Sequence, residues 1–473
     1  MTNSLTLDLP VQAGAVPIAP QAAERGASLL ARMESVPISR WHIKARIIMG
    51  SATFFDAFDA LSLAYVLPVL IGLWHLSAAQ IGLLIATGYI GQLVGAIFFG
   101  WLAERHGRVK SEFWTILLMS AMSLVCVFTG NVMGLMIARF VQGIGVGGGN
   151  PVAAAYINEL SLPHNRGRFF MMYELIFPLG LLAAAQAGTL LVPHVGWQSM
   201  FIVGGVPGLI IVCFIWFLPE SPRWLISKGR LDEAEKIIEQ IEASTDQRIV
   251  PKTRPPAPLV GPEAVTPGGK AGVRELFAPF YRRRTLVVWT LWATAYFVGN
   301  GLNNWLPSLY KTVYHLPLQE SLRLASLSSV LSVIFVFVAA LLVDTVGRRR
   351  WVICAFIISG LLLLALYLSG AKSVYSVMLL GSTAYAVMGT STILLFLYTP
   401  EIYPTRMRAV GTALATSWFR LASAASPAIV GLVLGAEGLV PVFLMFAGVC
   451  AVGAVAAMGM TETRLKSLEE IAP

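Results

Sequence analysis

The sequence predicts an all-α membrane protein in which twelve helices cross the bilayer, arranged as two pseudo-symmetric halves of six. Three observations carry that prediction. Hydrophobic residues make up 56% of the 473 and charged residues only 12%, with a mean hydropathy of +0.72, a balance too apolar for a water-soluble globule. The apolar residues gather in runs close to the ~20 residues that a spanning helix needs. A signature also occurs twice, as Gly100-Trp-Leu-Ala-Glu104-Arg-His-Gly107-Arg108-Val-Lys110 and as Ala340-Leu-Leu-Val-Asp344-Thr-Val-Gly347-Arg348-Arg-Arg350. Its acidic positions lie 344 − 104 = 240 residues apart, about half the chain.

The spans are read in order at about 45–73, 78–103, 111–130, 133–160, 168–192 and 199–218, then 284–311, 322–344, 350–370, 374–399, 407–434 and 439–460. Spans 1 and 2 are joined only by about His75–Ala79, and spans 2 and 8 each end in one copy of the repeated signature. Basic residues cluster in alternate connections: Arg105, Arg108 and Lys110; Arg166 and Arg168; Arg348, Arg349 and Arg350; Arg406 and Arg408. The opposite loops carry few, chiefly Lys311, Arg323 and Lys372. By the positive-inside rule both termini and the long central loop are expected in the cytoplasm. The chain therefore divides into a disordered cytoplasmic tail (1–43), a first six-helix bundle (44–218), a cytoplasmic linker (219–283), a second bundle (284–460) and a short cytoplasmic tail (461–473). Within the linker, Leu225, Leu231, Ala234, Ile237, Ile238 and Ile241 alternate with charged residues as on an amphipathic helix, before a Pro/Gly-rich stretch around 250–272.

Several function classes fall away. The net charge of +9 is spread over loop after loop and makes no basic, aromatic-laced patch for nucleic acid. The cysteines (Cys126, Cys213, Cys354 and Cys450) sit in apolar runs without paired spacing, so neither disulfides nor a metal site is expected. The histidines lie at helix ends or loops without an intramembrane Ser or Cys partner, so no catalytic constellation is expected. The glycines at 143, 145, 147, 148 and 149 read as a close-packing surface, since no Walker Lys-Ser/Thr follows them.

The repeated signature resembles the loop motif of the major facilitator superfamily. Arg139-Phe-Val-Gln-Gly143-Ile-Gly145-Val-Gly147 resembles that family's fourth-helix motif, and Glu159-Leu-Ser-Leu-Pro163-His-Asn-Arg166-Gly167-Arg168 and Pro400-Glu401-Ile-Tyr-Pro404-Thr-Arg406-Met-Arg408 echo each other as its half-repeats do. With Pro219-Glu220-Ser-Pro-Arg223 and the tail from Glu462, the resemblance covers residues 45 to 471. One departure is Glu104, where the family has Asp. The resemblance implies a transporter rather than an enzyme, without cofactors other than protons as coupling ion. It implies a cytoplasmic gate formed by Glu104, Arg108, Glu159, Arg166, Glu174, Asp344, Arg348, Glu401 and Arg408. Within it, span 1 is similar to aromatic-acid and nicotinate transporters of the metabolite:proton symporter branch, itself related to organic-anion transporters and synaptic vesicle glycoproteins.

Substrate chemistry must come from polar groups at membrane depth, which are costly there and face cavities or partners. Asp56 and Asp59 lie one turn apart on span 1, Arg139 on span 4 and Arg420 on span 11. The resemblance implies that Asp59 pairs with Arg139 and couples transport to protons, with Asp56 as a third proton-coupling candidate. A rise of about 1.5 Å per residue puts Asp59 near the midplane, ~21 Å from Leu73, and Arg139 only ~9 Å from the outer end of span 4. Arg420, fifteen residues into span 11, offers a permanent charge whose planar fork fits a carboxylate. Around it the sequence sets Trp292, Tyr296, Asn300 and Asn304 on span 7, Tyr385 on span 10, and Tyr89 and Gln92 on span 2. Rings and amides about one Arg suit a flat aromatic carboxylate.

The expected activity is import of a small organic anion, nicotinate- or benzoate-like, by proton symport with alternating access. Leu181 and Ala295-Tyr296 stand where sugar porters place amides, which disfavours sugars; the alternatives are a sugar, polyol or organic cation symporter or a drug exporter of the same superfamily. The expected setting is a bacterial inner membrane, with the lipid bilayer, protons and the anion as partners and a monomer sufficient for the pathway.

Overall fold

The computed structural model describes residues 20–37, 39–160, 173, 175–245 and 273–463, and every one of its long elements is a helix. The first half comprises Arg40–Trp74, Ala78–His106, Arg108–Val127, Val132–Leu160, Ile176–Val195 and Gln198–Trp216. The second comprises Pro279–Thr312, Leu318–Val346, Arg348–Leu368, Val374–Glu401, Thr405–Glu437 and Val440–Met458. These twelve helices are spans 1 to 12. Among the described residues eleven helices are long and apolar enough to cross a membrane. Span 7, Pro279–Thr312, has the length at 34 residues, but Asn300, Asn303 and Asn304 and its Trp and Tyr residues dilute its apolar character.

The halves meet along three helix pairs: span 11 on span 2, span 8 on span 5, and span 7 on span 1. Span 7 is the counterpart of span 1 in the six-plus-six repeat, while the other two pairs cross over: span 2 meets the counterpart of span 5, and span 5 meets the counterpart of span 2. The contacts that pin the halves gather at the end away from the basic loops. There Gly82 of span 2 packs against the backbone of Pro427 and Ala428 in span 11, and Thr189 Oγ1 lies 3.3 Å from the Leu322 carbonyl. Within the first half, Gly145 of span 4 lies so close to span 3 that a methyl there would sit 2.7 Å from the Met119 nitrogen and 2.8 Å from the Thr115 carbonyl. Small residues permit this backbone contact between neighbouring membrane helices.

At the basic end the duplication is visible atom by atom. Gly107 and Gly347 turn the chain at φ +106° and +92°, a region closed to ordinary side chains. Each turn exposes the first amides of the next helix, which carry partial positive charge. Glu220 accepts from the Arg108 amide at 2.9 Å and the Val109 amide at 3.2 Å, and Glu462 accepts from the Arg348 and Arg349 amides at 3.0 and 3.1 Å. Arg108 pairs with Glu159 at 3.1 Å and Arg348 with Glu401 at 3.9 Å. Burial lifts the Glu220 carboxyl above its ordinary range, against the pull of these amides.

Two expectations about the loops need correction. Residues 20–35 are not a featureless tail but a 16-residue helix. Its Leu29 and Met33 bury against Trp224, Leu225, Ile226, Ala234 and Ile238, while Arg25 meets Asp232 and Glu235 at 2.7 and 2.6 Å and Arg32 meets Glu242 at 2.8 Å. A short helix of this kind is marginal alone and is held by docking an amphipathic face. The linker helix is also two helices, Pro222–Ser227 and Leu231–Ala243, separated by a turn at Gly229. Of the cysteines, Cys126 and Cys450 are buried, whereas Cys213 and Cys354 are exposed on the outer surface of the helices.

Candidate transport site

Asp59 and Arg139 do meet. Arg139 Nη1 donates to Asp59 at 3.0 Å and to Gln142 Oε1 at 2.9 Å, and Gln142 Nε2 donates to the other Asp59 oxygen at 2.6 Å. All three side chains are buried, and the ring of bonds leaves each carboxylate oxygen with a donor. The difference in depth along their helices is bridged by the long Arg side chain. Gln142 was not singled out in the sequence; its signal is its spacing of three from Arg139, which puts both on one helix face.

Asp56 is 2% exposed, and neither of its oxygens has a hydrogen-bond partner. It lies against Gly149 of span 4, away from the Arg139 ring. Asp56 and Asp59 are thus neighbours within electrostatic reach, in separate hydrogen-bonding surroundings.

A cavity of about 230 Å³ opens beside this ring, with Tyr89, Gln92, Arg139 and Asn304 among its lining residues. Asn304 spans the halves, donating to Tyr89 Oη at 3.2 Å and to the Asn300 carbonyl at 2.8 Å. Asn300 in turn donates to Ser423 Oγ on span 11 at 2.5 Å. The larger cleft, about 510 Å³ near Leu175, Val343, Trp351 and Leu394, is apolar and remote from this chemistry.

Arg420 sits on the far side of Gln92. Its Nη2 lies 3.4 Å from the Gly147 carbonyl and its Nη1 3.3 Å from the Thr416 carbonyl, both long for a charged donor, and Nε has no partner. Gly147 itself abuts the Gln92 backbone. Eight residues of span 4 separate Arg139 from Gly147, about 12 Å along the helix axis. No carboxylate meets Arg420 among the described residues. Its guanidinium lies 4.7 Å over the Phe419 ring, Phe419 is 4.5 Å from Tyr296, and Tyr296 stacks on Trp292 at 5.5 Å and 9°. The buried positive charge therefore stands beside a wall of rings with its Nε unpartnered.

The remaining expected residues divide. Trp292 is fully buried, with its indole nitrogen donating to Thr399 at 2.9 Å, so it backs Tyr296 rather than lining the site. Tyr385 is 7% exposed on span 10. In the expected gate, Glu159 also accepts from Ser221, and its pair with Arg108, like that of Arg348 with Glu401, lies within one half. The Glu104 side chain is exposed, and among the described residues it is the Glu104 backbone carbonyl that makes a contact, accepting from Trp224 Nε1 at 3.1 Å. Arg166 and Glu174 lie outside the described residues, as do the side chains of Asp344 and Arg408.

With the fold and this geometry in hand, a family profile described as "Sugar (and other) transporter" matches residues 37–473. The chain belongs to that family of the major facilitator superfamily. It is an integral, multi-pass membrane transporter and not an enzyme. It is similar to the niacin transporter NiaP of Acinetobacter baylyi, at 33% identity over 94% of this chain and 99% of that one. It is also similar to the 4-hydroxybenzoate transporter PcaK of the same organism, at 26% identity over 81% of this chain and 83% of its relative. Among solved structures, the xylose transporter XylE from E. coli shares the fold with a TM-score of 0.69 at 19% identity, covering 88% of this chain and 98% of that one.

Proposed function

We propose that this transporter imports a small aromatic or heteroaromatic carboxylate, of the nicotinate or hydroxybenzoate kind, together with protons. The observation that carries the reading is Arg420, a buried guanidinium with an unpartnered Nε beside the Phe419–Tyr296–Trp292 rings. A carboxylate seated on that fork makes charge-assisted bonds while its ring lies along the aromatic wall. The names of two relatives, a niacin and a 4-hydroxybenzoate transporter, support the same class.

In this mechanism the anion binds at Arg420 and a proton at Asp59. Protonation weakens the Asp59–Arg139 pair, the two halves rock about the site, and both cargoes leave at the basic end, which the positive-inside rule places in the cytoplasm. The short connection between spans 1 and 2 supports a bacterial inner membrane, and one copy of the chain contains the whole pathway. Protons are the only coupling ion the mechanism needs; no further cofactor enters it. A sugar reading is disfavoured by the sequence, since Leu181 and Ala295-Tyr296 stand where sugar porters place amides. The test is a thermal-shift screen of purified protein against nicotinate, benzoate, 4-hydroxybenzoate, hexoses and organic cations, with Arg420→Ala alongside. Stabilisation by aromatic carboxylates that vanishes in Arg420→Ala supports the proposal; stabilisation by a hexose or cation, or anion binding unchanged in the variant, contradicts it.

A further inference from the structure

Besides Asp59, the first half buries two more carboxylates that the mechanism above does not use. Glu112 of span 3 is fully buried and Asp56 is 2% exposed; all four of their oxygens lack hydrogen-bond partners. The Thr115 hydroxyl, one turn along the helix from Glu112, donates to the Glu112 backbone carbonyl at 2.8 Å. Asp56 lies within electrostatic reach of Asp59, and Glu112 within reach of Asp56.

The three acids descend toward the basic end. Asp59 meets Gln142, eighteen residues or about 27 Å from the Leu160 end of span 4, and Asp56 meets Gly149, eleven residues or about 16 Å from it. Glu112 lies four residues, about 6 Å, beyond the Arg108 turn where Glu220 is seated. The glycines of span 4 are what bring spans 1 and 3 close enough for this file. An ionised carboxylate without donors costs several kcal/mol in a dry interior. The groups facing the file are Asp59 and Arg139 from spans 1 and 4 and Glu220 beyond the turn, and Arg139 is the one cation that meets it among the described residues. Its charge is taken up by Asp59.

We propose that Asp56 and Glu112 are proton carriers, forming with Asp59 a route by which the coupling proton reaches the basic end. When Arg139 re-pairs with Asp59, the Asp59 O–H breaks and its proton passes to Asp56, then to Glu112, and from there to water at the basic end. Each step exchanges one O–H bond for another, and no other reactant is consumed. The inference rests on the proton-symport reading.

Proteoliposomes holding the full chain separate the two. Counterflow of labelled nicotinate at equal pH reports substrate exchange, and accumulation driven by an inward proton gradient reports coupling. Glu112→Gln and Asp56→Asn are expected to keep counterflow within about twofold while losing fivefold or more of gradient-driven accumulation, with Glu112→Asp restoring it. Wild-type accumulation in Glu112→Gln overturns the inference, as does accumulation driven by a sodium gradient at fixed pH. If Glu112→Gln fails to reach the membrane, Glu112→Asp decides. A displaced pH midpoint of accumulation supports the route, and an unchanged one overturns it. Wild-type counterflow with no response to a proton gradient sinks the symport reading itself, and this inference with it.

Discussion

The two halves are near-copies at their basic ends and strangers at their centres. Tyr156, Glu159 and Glu220 recur as Tyr398, Glu401 and Glu462, and each Glu at the end of the series caps the helix after a glycine turn. Deeper in the membrane the first half holds Asp56, Asp59 and Arg139, with Glu112 nearer the basic end, whereas the second holds Arg420 among aromatic rings. Capping is demanded of every helix that starts at a tight turn, so duplication preserves it. The midplane is under no such common demand. The difference is what the proposed mechanism uses: it assigns proton handling to the first half and the substrate's carboxylate to the second, coupled where the halves touch.

The strongest way to break that division is to remove its second half's charge. Arg420→Ala should abolish aromatic-carboxylate binding, a loss of about 2–5 kcal/mol or thirty-fold and more, while the protein still reaches the membrane. Binding that persists would return Arg420 to a merely structural part. Next in size, Asp59→Asn should leave counterflow but remove the rise in transport as external pH falls, read from initial uptake rates between pH 5.5 and 7.5. Retained pH dependence would put the coupling proton elsewhere.

The likeness of the basic ends gives a smaller, symmetrical effect. Glu220→Ala and Glu462→Ala each orphan amides at a helix start and should each lower stability by about 1–3 kcal/mol, seen as matched falls in melting temperature. A loss confined to one variant would show that the two caps are not equivalent.

The smallest effect concerns the docked helix Pro20–Ser35, which precedes the first half and packs on the linker helices. The hydrogen bond from Arg25, then that from Arg32, holds the Glu235 carboxyl below its ordinary range. A depressed carboxylate contributes stability that is present above its unfolded pKa of about 4.3 and lost as pH falls through the lower folded value. Docking, measured by hydrogen exchange of residues 20–35, should therefore weaken only below about pH 4 and with added salt. Exchange indifferent to both would leave the apolar contacts of Leu29 and Met33 as the whole attachment.

The contrast between the halves also explains what was legible in the sequence. Twelve apolar runs and the repeat were readable because bilayer length and motif spacing are local properties, whereas the Asp59–Arg139 pair came from the family resemblance, its depths along the two helices setting the residues apart. Arg420 stood out as a charge within an apolar run. Glu112 did not, since a charge four residues beyond a basic loop looks like a headgroup contact until the packing of spans 1, 3 and 4 encloses it. Trp292 and Asn304 both read as site residues; Trp292 is buried behind Tyr296 and Asn304 lines the cavity while bridging the halves, a distinction set by neighbours on other helices. The Pro20–Ser35 helix was missed for the same reason: its partner lies some 200 residues away, as the Arg25–Asp232 and Arg32–Glu242 pairs show.

The central claim is most directly tested by titrating purified protein with nicotinate at pH 5.5 and 7.5, in the wild type, Asp59→Asn and Arg420→Ala. The account predicts tighter binding at the lower pH in the wild type, a flat response in Asp59→Asn and no binding in Arg420→Ala. Anion binding of equal strength in wild type and Arg420→Ala, or tighter binding of a hexose than of nicotinate, would contradict it.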